Sequence, residues 1–364
     1  MIRNVVSGAR VHGLVLAGTY PRSHSALDQL GPRPLLPVAQ RPLVTYALRW
    51  MRDAGLDEAT VCANSAARAI RGCLARDTPL GMRLDYMEDW TPRGTAGCVR
   101  DAGVKTGALT FVVVDGTTVP VIDLPDLLGA HVASGAAMTV VTNSDARPGQ
   151  SAVGSLRPGG IYVLDRRVFD HIPEDGFQDI KEKLVPRLYH AGERVLSYAA
   201  AEVCPRVVNA ETYLALNQWV IQRSVRASSP QPGFTVAGDV LQHDSAAVHP
   251  TARLLGPVIL GPKVTVGAEA TVIGPATIGA GTTIDSGAVV SRSVLWNRCA
   301  IGEGAFVDRS LLADNAVVGA RQSLFAAMKA GAVKPEERPA RPGQPALSWA
   351  PITAGLRPRT SWQL

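Results

Sequence analysis

Aromatic residues are scarce in this 364-residue chain, with Phe, Tyr and Trp together at 5%. A core built on ring packing is thereby set aside in favour of small and β-branched aliphatics, and 35 Gly and 26 Pro imply many turns. Cysteine is equally sparse. Cys62, Cys73, Cys98, Cys204 and Cys299 are odd in number and form no C-x-x-C pair, which argues against a disulfide framework or a structural zinc site. No long hydrophobic run is present near the start: Leu14 to Ala17 is too short for a signal-peptide core or a membrane span. Charge of one sign is also lacking. The net +6 owes half its excess to Lys334–Arg359, leaving about +3 elsewhere, and no basic stripe interleaved with aromatics suggests nucleic-acid binding. What remains, 46% apolar and 19% charged, is an ordinary globular balance in a chain long enough for two domains. The expectation is a soluble, reduced, cytoplasmic protein.

The first half alternates strand-like and helix-like segments. Val11 to Leu16 is a buried-strand run, Leu43 to Ala54 carries helical spacing (Leu43, Ala47, Leu48, Met51) and stops at Gly55, and Ala59–Ala63, Leu109–Val114 and Ala136–Val141 read as further strands. Continuous apolar runs of this kind predict a mostly parallel sheet covered on both faces. Ligands in such sheets bind beyond the carboxyl ends of the strands, so the loops after Leu16 and Val114 are the places for chemistry.

From residue 248 onward an aliphatic recurs at six-residue spacing: Val248, Leu254, Leu260, Val266, Val272, Ile278, Ile284 and Val290, continued by Leu295, Ile301, Val307, Leu312 and Val318 with two five-residue steps. Each hexad is one short strand and a turn, and three make a triangular coil that must stack on its neighbours to bury its inner face. The predicted organisation is an α/β domain over 1–225, a linker over 226–240, a β-helix over 241–320, a capping helix over 321–334, and a Pro/Arg-rich, disordered or loosely attached tail over 335–364.

Particular residues then point to a family. Pro32-Arg33-Pro34-Leu35-Leu36-Pro37-Val38, with Arg41-Pro42-Leu43 behind it, resembles the P-K-P-L-L-P-V segment of the sugar-1-phosphate nucleotidyltransferases, or NDP-sugar pyrophosphorylases, including the mannose-1-phosphate guanylyltransferase-like members. Gly94-Thr95-Ala96-Gly97 matches their G-T-A-G nucleotide loop, Gly160-Ile161-Tyr162 their G-I-Y sugar-pocket strand, and Glu211-Thr212-Tyr213-Leu214 their E-x-Y-L helix start. The resemblance implies a Rossmann-like nucleotidyltransferase domain followed by a left-handed parallel β-helix. It also implies transfer of a nucleotide from NTP to a sugar-1-phosphate, with Mg²⁺ bridging the phosphates. Carried over by position, nucleotide contacts fall on Leu16, Ala17, Gly18, Thr19, Gly94, Thr95, Ala96 and Gly97, and sugar contacts on Gly160, Ile161 and Tyr162.

Much of the family's catalytic pattern is nevertheless absent. The loop G-x-G-T-R aligns with Thr19-Tyr20-Pro21-Arg22-Ser23, which has neither glycine, and Arg22 stands one place before the expected Arg. The P-K-P lysine is Arg33. The first metal Asp aligns with Thr117, leaving Asp115 as the displaced candidate, and the second aligns with Arg206. The E-K-P hairpin is missing before Gly160, and the Asn expected there is Pro158. Arg22 and Arg33 are candidates to hold phosphate, against pairing with Asp28. Asp179, Lys181 and Lys183 are candidates for the sugar pocket, against a solvated face. These losses predict a catalytically impaired, nucleotide- or nucleotide-sugar-binding regulatory or partner subunit. It would be a homo-oligomer, or a hetero-oligomer with an active paralogue, and would bind neither nucleic acid nor membrane. The alternative is an active enzyme, with Mg²⁺ as its cofactor, using Arg22, Arg33 and Asp115. A third reading, acyl transfer at a β-helix histidine such as His249, competes with simple filling of the first coil.

Overall fold

The computed structural model describes residues 10–18, 26–64, 66–76, 81–89, 93–144, 156–226 and 233–331. Thr19, Arg22 and the expected tail at 335–364 lie outside them. The first part runs β1 (Val11–Leu16), β2 (Pro37–Val38), β3 (Arg41–Pro42), α1 (Val44–Asp53), β4 (Glu58–Ala63), α2 (Ala67–Arg76), β5 (Arg83–Glu88), α3 (Gly94–Gly103), β6 (Thr110–Asp115), α4 (Leu124–Ser134), β7 (Met138–Ser144), β8 (Leu156–Asp165), α5 (Val185–His190), β9 (Val195–Ala199) and α6 (Ala210–Arg226). Seven of these strands form one sheet in the order β5-β4-β1-β6-β8-β7-β9. Only β8 runs against its neighbours. This is the mostly parallel sheet that the apolar runs predict.

Why those runs are continuous is visible in the packing. Successive side chains of a strand point to opposite faces. Val15, Val112, Val114, Ile161 and Val163 enter one core layer with Ala47, Leu48 and Met51 of α1 and Leu127 of α4. Leu14, Phe111, Val113, Tyr162 and Leu164 enter the other, with Val99 of α3 and Leu188 of α5. With helices on both faces, neither set can be polar.

The second part begins earlier than the linker expectation allows. α6 reaches Arg226, and β10 (Phe234–Ala237) pairs antiparallel with β11 (Val240–His243). Phe234 and Val236 pack against a small cluster of Ile221, Val225, Leu241 and Ile259, and this local apolar contact outweighs the Ser, Pro and Gly around it. Beyond lie short parallel strands in three sheets, a β-helix. The hexad aliphatics stack in register: Val248 on Val266, Ile284, Ile301 and Val318 in one column, and Leu254 on Val272, Val290 and Val307 in the next. Both five-residue steps fall at the same corner, so that Ile278, Leu295 and Leu312 still align. There Arg292 and Arg309 take the left-handed backbone conformation, each at φ 46°. Ser293 Oγ donates to Ser291 O (2.6 Å) and accepts from Ser310 N (3.0 Å), knitting the shortened turns together.

The capping helix expected over 321–334 is not what forms. Residues 323–325 and 328–329 are strands, paired with 306–308 and 311–312. Leu324 extends the Val307 column, and the new strands satisfy the backbone of the coil below, which outweighs the helix propensity of this alanine-rich stretch.

The two parts share an apolar cluster. Leu36, Val38, Leu43, Tyr213, Leu216 and Val220 meet Val294 and Leu311 of the β-helix. Buried Tyr213 donates its hydroxyl to Pro37 O and accepts from Trp296 Nε1 at 2.9 Å. Gln40 Nε2 donates to Ile278 O at 2.9 Å. The described residues make one compact unit. Among the described residues no helix is long and apolar enough to cross a membrane.

Candidate functional site

A cavity of about 570 Å³ opens where the carboxyl ends of β1, β4 and β6 meet the start of α3. Its floor is Leu16, Gly18, Cys62, Ala63 and Asn64, and its walls carry Gly94, Thr95, Asp115, Tyr162, Asp179, Lys181 and Arg206. This is the strand-end position expected for a ligand in an open α/β sheet.

The residues carried over from the family divide sharply. Leu16, Gly18, Gly94, Thr95, Asp115, Tyr162 and Arg33 line the cavity. Ala17, Ala96 and Gly97 do not; they are buried, and the Ala17 amide is spent on Cys62 O at 2.7 Å. Ile161 is a correction: alternation along β8 turns it into the opposite core layer, away from Tyr162. Lys183 reaches the carbonyl of Phe177 (2.7 Å) instead of the cavity, whereas Asp179 and Lys181 do line it. His249 sits exposed at a turn, its Nδ1 paired with Thr251 Oγ1 at 2.9 Å, and does not enter the core of the first coil.

The G-T-A-G segment is held by a neighbouring strand of chain. Gln178 O accepts from the amides of Ala96 (2.9 Å) and Gly97 (3.4 Å), so part of the α3 N-terminus is already satisfied. Gly94 has φ +76°, and a Cβ there would lie 2.4 Å from Gln178 O, so only glycine fits. Thr95 Oγ1 donates to Asp179 Oδ2 (3.1 Å) and accepts from Ile180 N (3.0 Å). Asp179 Oδ1 in turn accepts from the amides of Lys181 and Glu182, capping a single π-helical turn over Ile180–Leu184. Thr95 and Asp179 thus fix the cleft wall that Lys181 occupies.

Another wall of the cavity joins Asp115 to Arg206. Residues 205–207 run alongside 117–119, with Val119 N donating to Pro205 O (2.9 Å) and Val207 N to Thr117 O (3.0 Å). This places Arg206 against Asp115, and its Nη2 donates to Asp115 Oδ2 in a close ion pair. Arg206 Nε donates to Thr117 Oγ1 at 3.2 Å. Asp115 Oδ1 accepts from both the amide (3.0 Å) and the hydroxyl (2.7 Å) of Thr117. Gly160 makes room for this network, since a Cβ there would meet Thr118 Oγ1 at 2.8 Å and Asp115 Cβ at 3.2 Å. Arg33 is likewise engaged, forking onto Asp28 at 2.6 and 2.9 Å.

These donors do not suit the divalent ion that the family resemblance implies. Mg²⁺ takes hard anionic oxygens in octahedral array. Here one carboxylate oxygen faces a guanidinium, the other accepts two hydrogen bonds, and the second expected carboxylate position is the guanidinium itself. No group of three His, Cys, Asp or Glu side chains among the described residues is arranged to hold a metal. Burial and the negative charge of Asp115 push the Tyr162 hydroxyl well above its ordinary range, leaving it a protonated donor at neutral pH. The Cys62 thiol is raised too, by its hydrogen bond with Cys98 and by burial, which makes it a poor nucleophile.

Sequence reasoning missed Asn64, Asp89 and Cys98 as lining residues; the rule that ligands gather at strand ends singles out Asn64, which follows β4. It also missed that Thr117 and Arg206, two separate departures from the family pattern, meet in space.

No family model matches the chain. Curated proteins do. The chain is 25% identical over 274 residues to a mannose-1-phosphate guanylyltransferase of Mycobacterium tuberculosis, covering 69% of this chain and 75% of that one. It is 27% identical over 333 residues to a mannose-1-phosphate guanyltransferase of Pichia angusta, covering 84% and 87%. It is 23% identical over 310 residues to a UTP–glucose-1-phosphate uridylyltransferase of Synechocystis, covering 75% and 80%. These likenesses, at modest identity over most of the chain, make it similar to the sugar-1-phosphate nucleotidyltransferase family.

Proposed function

We propose that the chain is a nucleotide- or nucleotide-sugar-binding member of this family with impaired catalysis, acting as a regulatory or partner subunit. The observation that carries the reading is the Asp115–Arg206 ion pair braced by Thr117. Phosphoryl and nucleotidyl transfer depend on neutralising charge between the attacking and leaving oxygens, and in this family that task falls to a metal held by carboxylates. Those two positions hold Thr117 and Arg206, and both are bonded to the displaced Asp115. The cleft keeps its binding parts: the apolar floor around Leu16, the glycine-permitted wall at Gly94 and Thr95, and the Tyr162 hydroxyl. The β-helix, with its three sheets of stacked short strands, is a suitable surface for a second copy or an active paralogue. Five unpaired cysteines agree with a reducing compartment such as the cytoplasm.

The test is pyrophosphate release by the purified protein with Mg²⁺, a panel of nucleoside triphosphates, and mannose- or glucose-1-phosphate. The expected result is none above background, together with thermal stabilisation by GDP-mannose or UDP-glucose. Clear turnover that Asp115→Ala abolishes would establish the second reading, an active nucleotidyltransferase with displaced groups. Its support is that the named relatives are enzymes and that Arg33, Lys181 and Arg206 all line the cleft.

A further inference from the structure

We infer that this cleft binds a nucleoside diphosphate sugar without a divalent cation, with the Arg206 guanidinium neutralising the diphosphate where a metal would otherwise sit. The inference rests on the nucleotide-sugar-binding reading and adds to it the means by which the charged part of the ligand is met.

Arg206 lines the cavity and its side chain is 38% exposed. Its contacts fix it in place. Nε is tied to Thr117 and Nη2 to Asp115, while Nη1 makes no hydrogen bond among the described residues. A guanidinium carries five N–H donors in a rigid plane, so this anchoring leaves donors to spare on a group that cannot lose its charge. Such a planar donor set is matched to phosphate oxygens and needs no reorganisation on binding. Five carboxylates line the cavity, Asp28, Asp89, Asp115, Asp179 and Glu182, and at least three of them are engaged by cations or hydrogen-bond donors. Asp28 is forked by Arg33, Asp115 is paired with Arg206, and Asp179 accepts from Thr95 and two backbone amides. Lys181, on the wall that Thr95 and Asp179 fix, adds a third positive charge to the cleft beside Arg206 and Arg33. The same geometry works against a metal: an ion placed beside Asp115 would sit against the Arg206 guanidinium.

The experiment titrates the full chain with GDP-mannose and UDP-glucose by calorimetry, once in excess EDTA and once in excess MgCl₂. Affinity for whichever ligand binds is expected to be the same in both. Arg206→Gln, whose fold is checked by circular dichroism, should weaken binding about tenfold or more, the scale of a charge-assisted contact. Arg206→Asp places a second carboxylate beside Asp115; it should bind Mn²⁺, followed by water-proton relaxation, where the wild type does not, and should bind the ligand only with metal present. Wild-type binding that is lost in EDTA overturns the inference and leaves the binding reading standing. Undiminished binding by Arg206→Gln has the same effect. Failure of every nucleotide sugar to bind the wild type under both conditions overturns the binding reading and this inference together.

Discussion

The β-helix and the cleft are built on opposite principles. In the β-helix each buried aliphatic rests on one 17 or 18 residues away, Ile278 on Leu260 and Leu295, and every coil repeats the arrangement. In the cleft the decisive contacts join residues 91 and 84 positions apart, Asp115 with Arg206 and Thr95 with Asp179, and none of them repeats. Loss of one contact in the first region weakens a ladder whose neighbours persist. Loss of one in the second has no repeated neighbour among the described residues to make it good. The stacked region should therefore govern stability and the cleft should govern binding, with the junction at Tyr213 and Trp296 sensitive to both.

The largest stability effect is expected in the stack. Ile278 is fully buried between coils, and Ile278→Ala should cost about 2–5 kcal/mol, as a core truncation that leaves a cavity. Because each coil buries its face only on its neighbours, the melting transition should fall as a whole, while nucleotide-sugar affinity below the transition stays unchanged. A large loss of affinity at low temperature would break the division of labour between the two regions.

Next is Gly160→Ala. The residue has φ +80°, and its new Cβ would press on Thr118 and on Asp115. A cost of about 1–3 kcal/mol is expected from strain and crowding together. Here the informative readout is affinity, which should fall because Asp115 is pushed from Arg206. If stability falls and affinity does not, the ion pair has no part in binding.

The same contrast explains how much was legible beforehand. The column from Val248 to Val318 could be read directly, because a repeat announces its own period and the three faces follow from it. The strands around Val15 and Val112 were readable too, since burial on both faces leaves no room for polar residues. Local composition misled where tertiary contact overrode it: Phe234 and Val236 made a strand of the expected linker, and Leu324 made a coil of the expected helix. For the cleft, motif matching singled out Gly94, Thr95 and Tyr162, which line one cavity, but could not tell Tyr162 from Ile161 without the alternation of β8. Arg206 read as a missing carboxylate; that it satisfies Asp115 is a fact of three-dimensional adjacency, to which spacing in the chain is blind.

At the junction, Tyr213→Phe removes a buried hydroxyl that serves Pro37 O and Trp296 Nε1. Leaving the indole N–H unpaired should cost about 1–3 kcal/mol. A parallel Trp296→Phe variant should cost little more in combination than alone, because the two groups share one bond. Additive losses in that double-mutant cycle would show that the hydroxyl and the indole act separately.

The smallest expected effect lies far from either region, and it sharpens the comparison by being a control. His12 on β1 is 1% exposed, with Nε2 on Thr60 Oγ1 at 2.9 Å. Its Nδ1 is buried without a hydrogen bond, 3.8 Å from Glu58 Oε2. Burial, the leading cause, holds its pKa below the ordinary 6.5, although Glu58 pulls the other way. Between the folded and unfolded values the unfolded chain binds more protons, so stability rises with pH there. The contribution is complete above about pH 6.5, declines as the pH falls below it, and stops declining beneath the folded value. Glu58 does not confuse the window, because the Arg10 hydrogen bond, despite partial burial, keeps its carboxyl ionised below the usual range. Chemical unfolding of wild type and His12→Gln from pH 7.5 down to pH 5 should show a steeper loss for the wild type, with nucleotide-sugar affinity equal in the two proteins at each pH. A wild type whose stability is as flat as that of the variant would mean that His12 titrates in the folded chain as it does in the unfolded one.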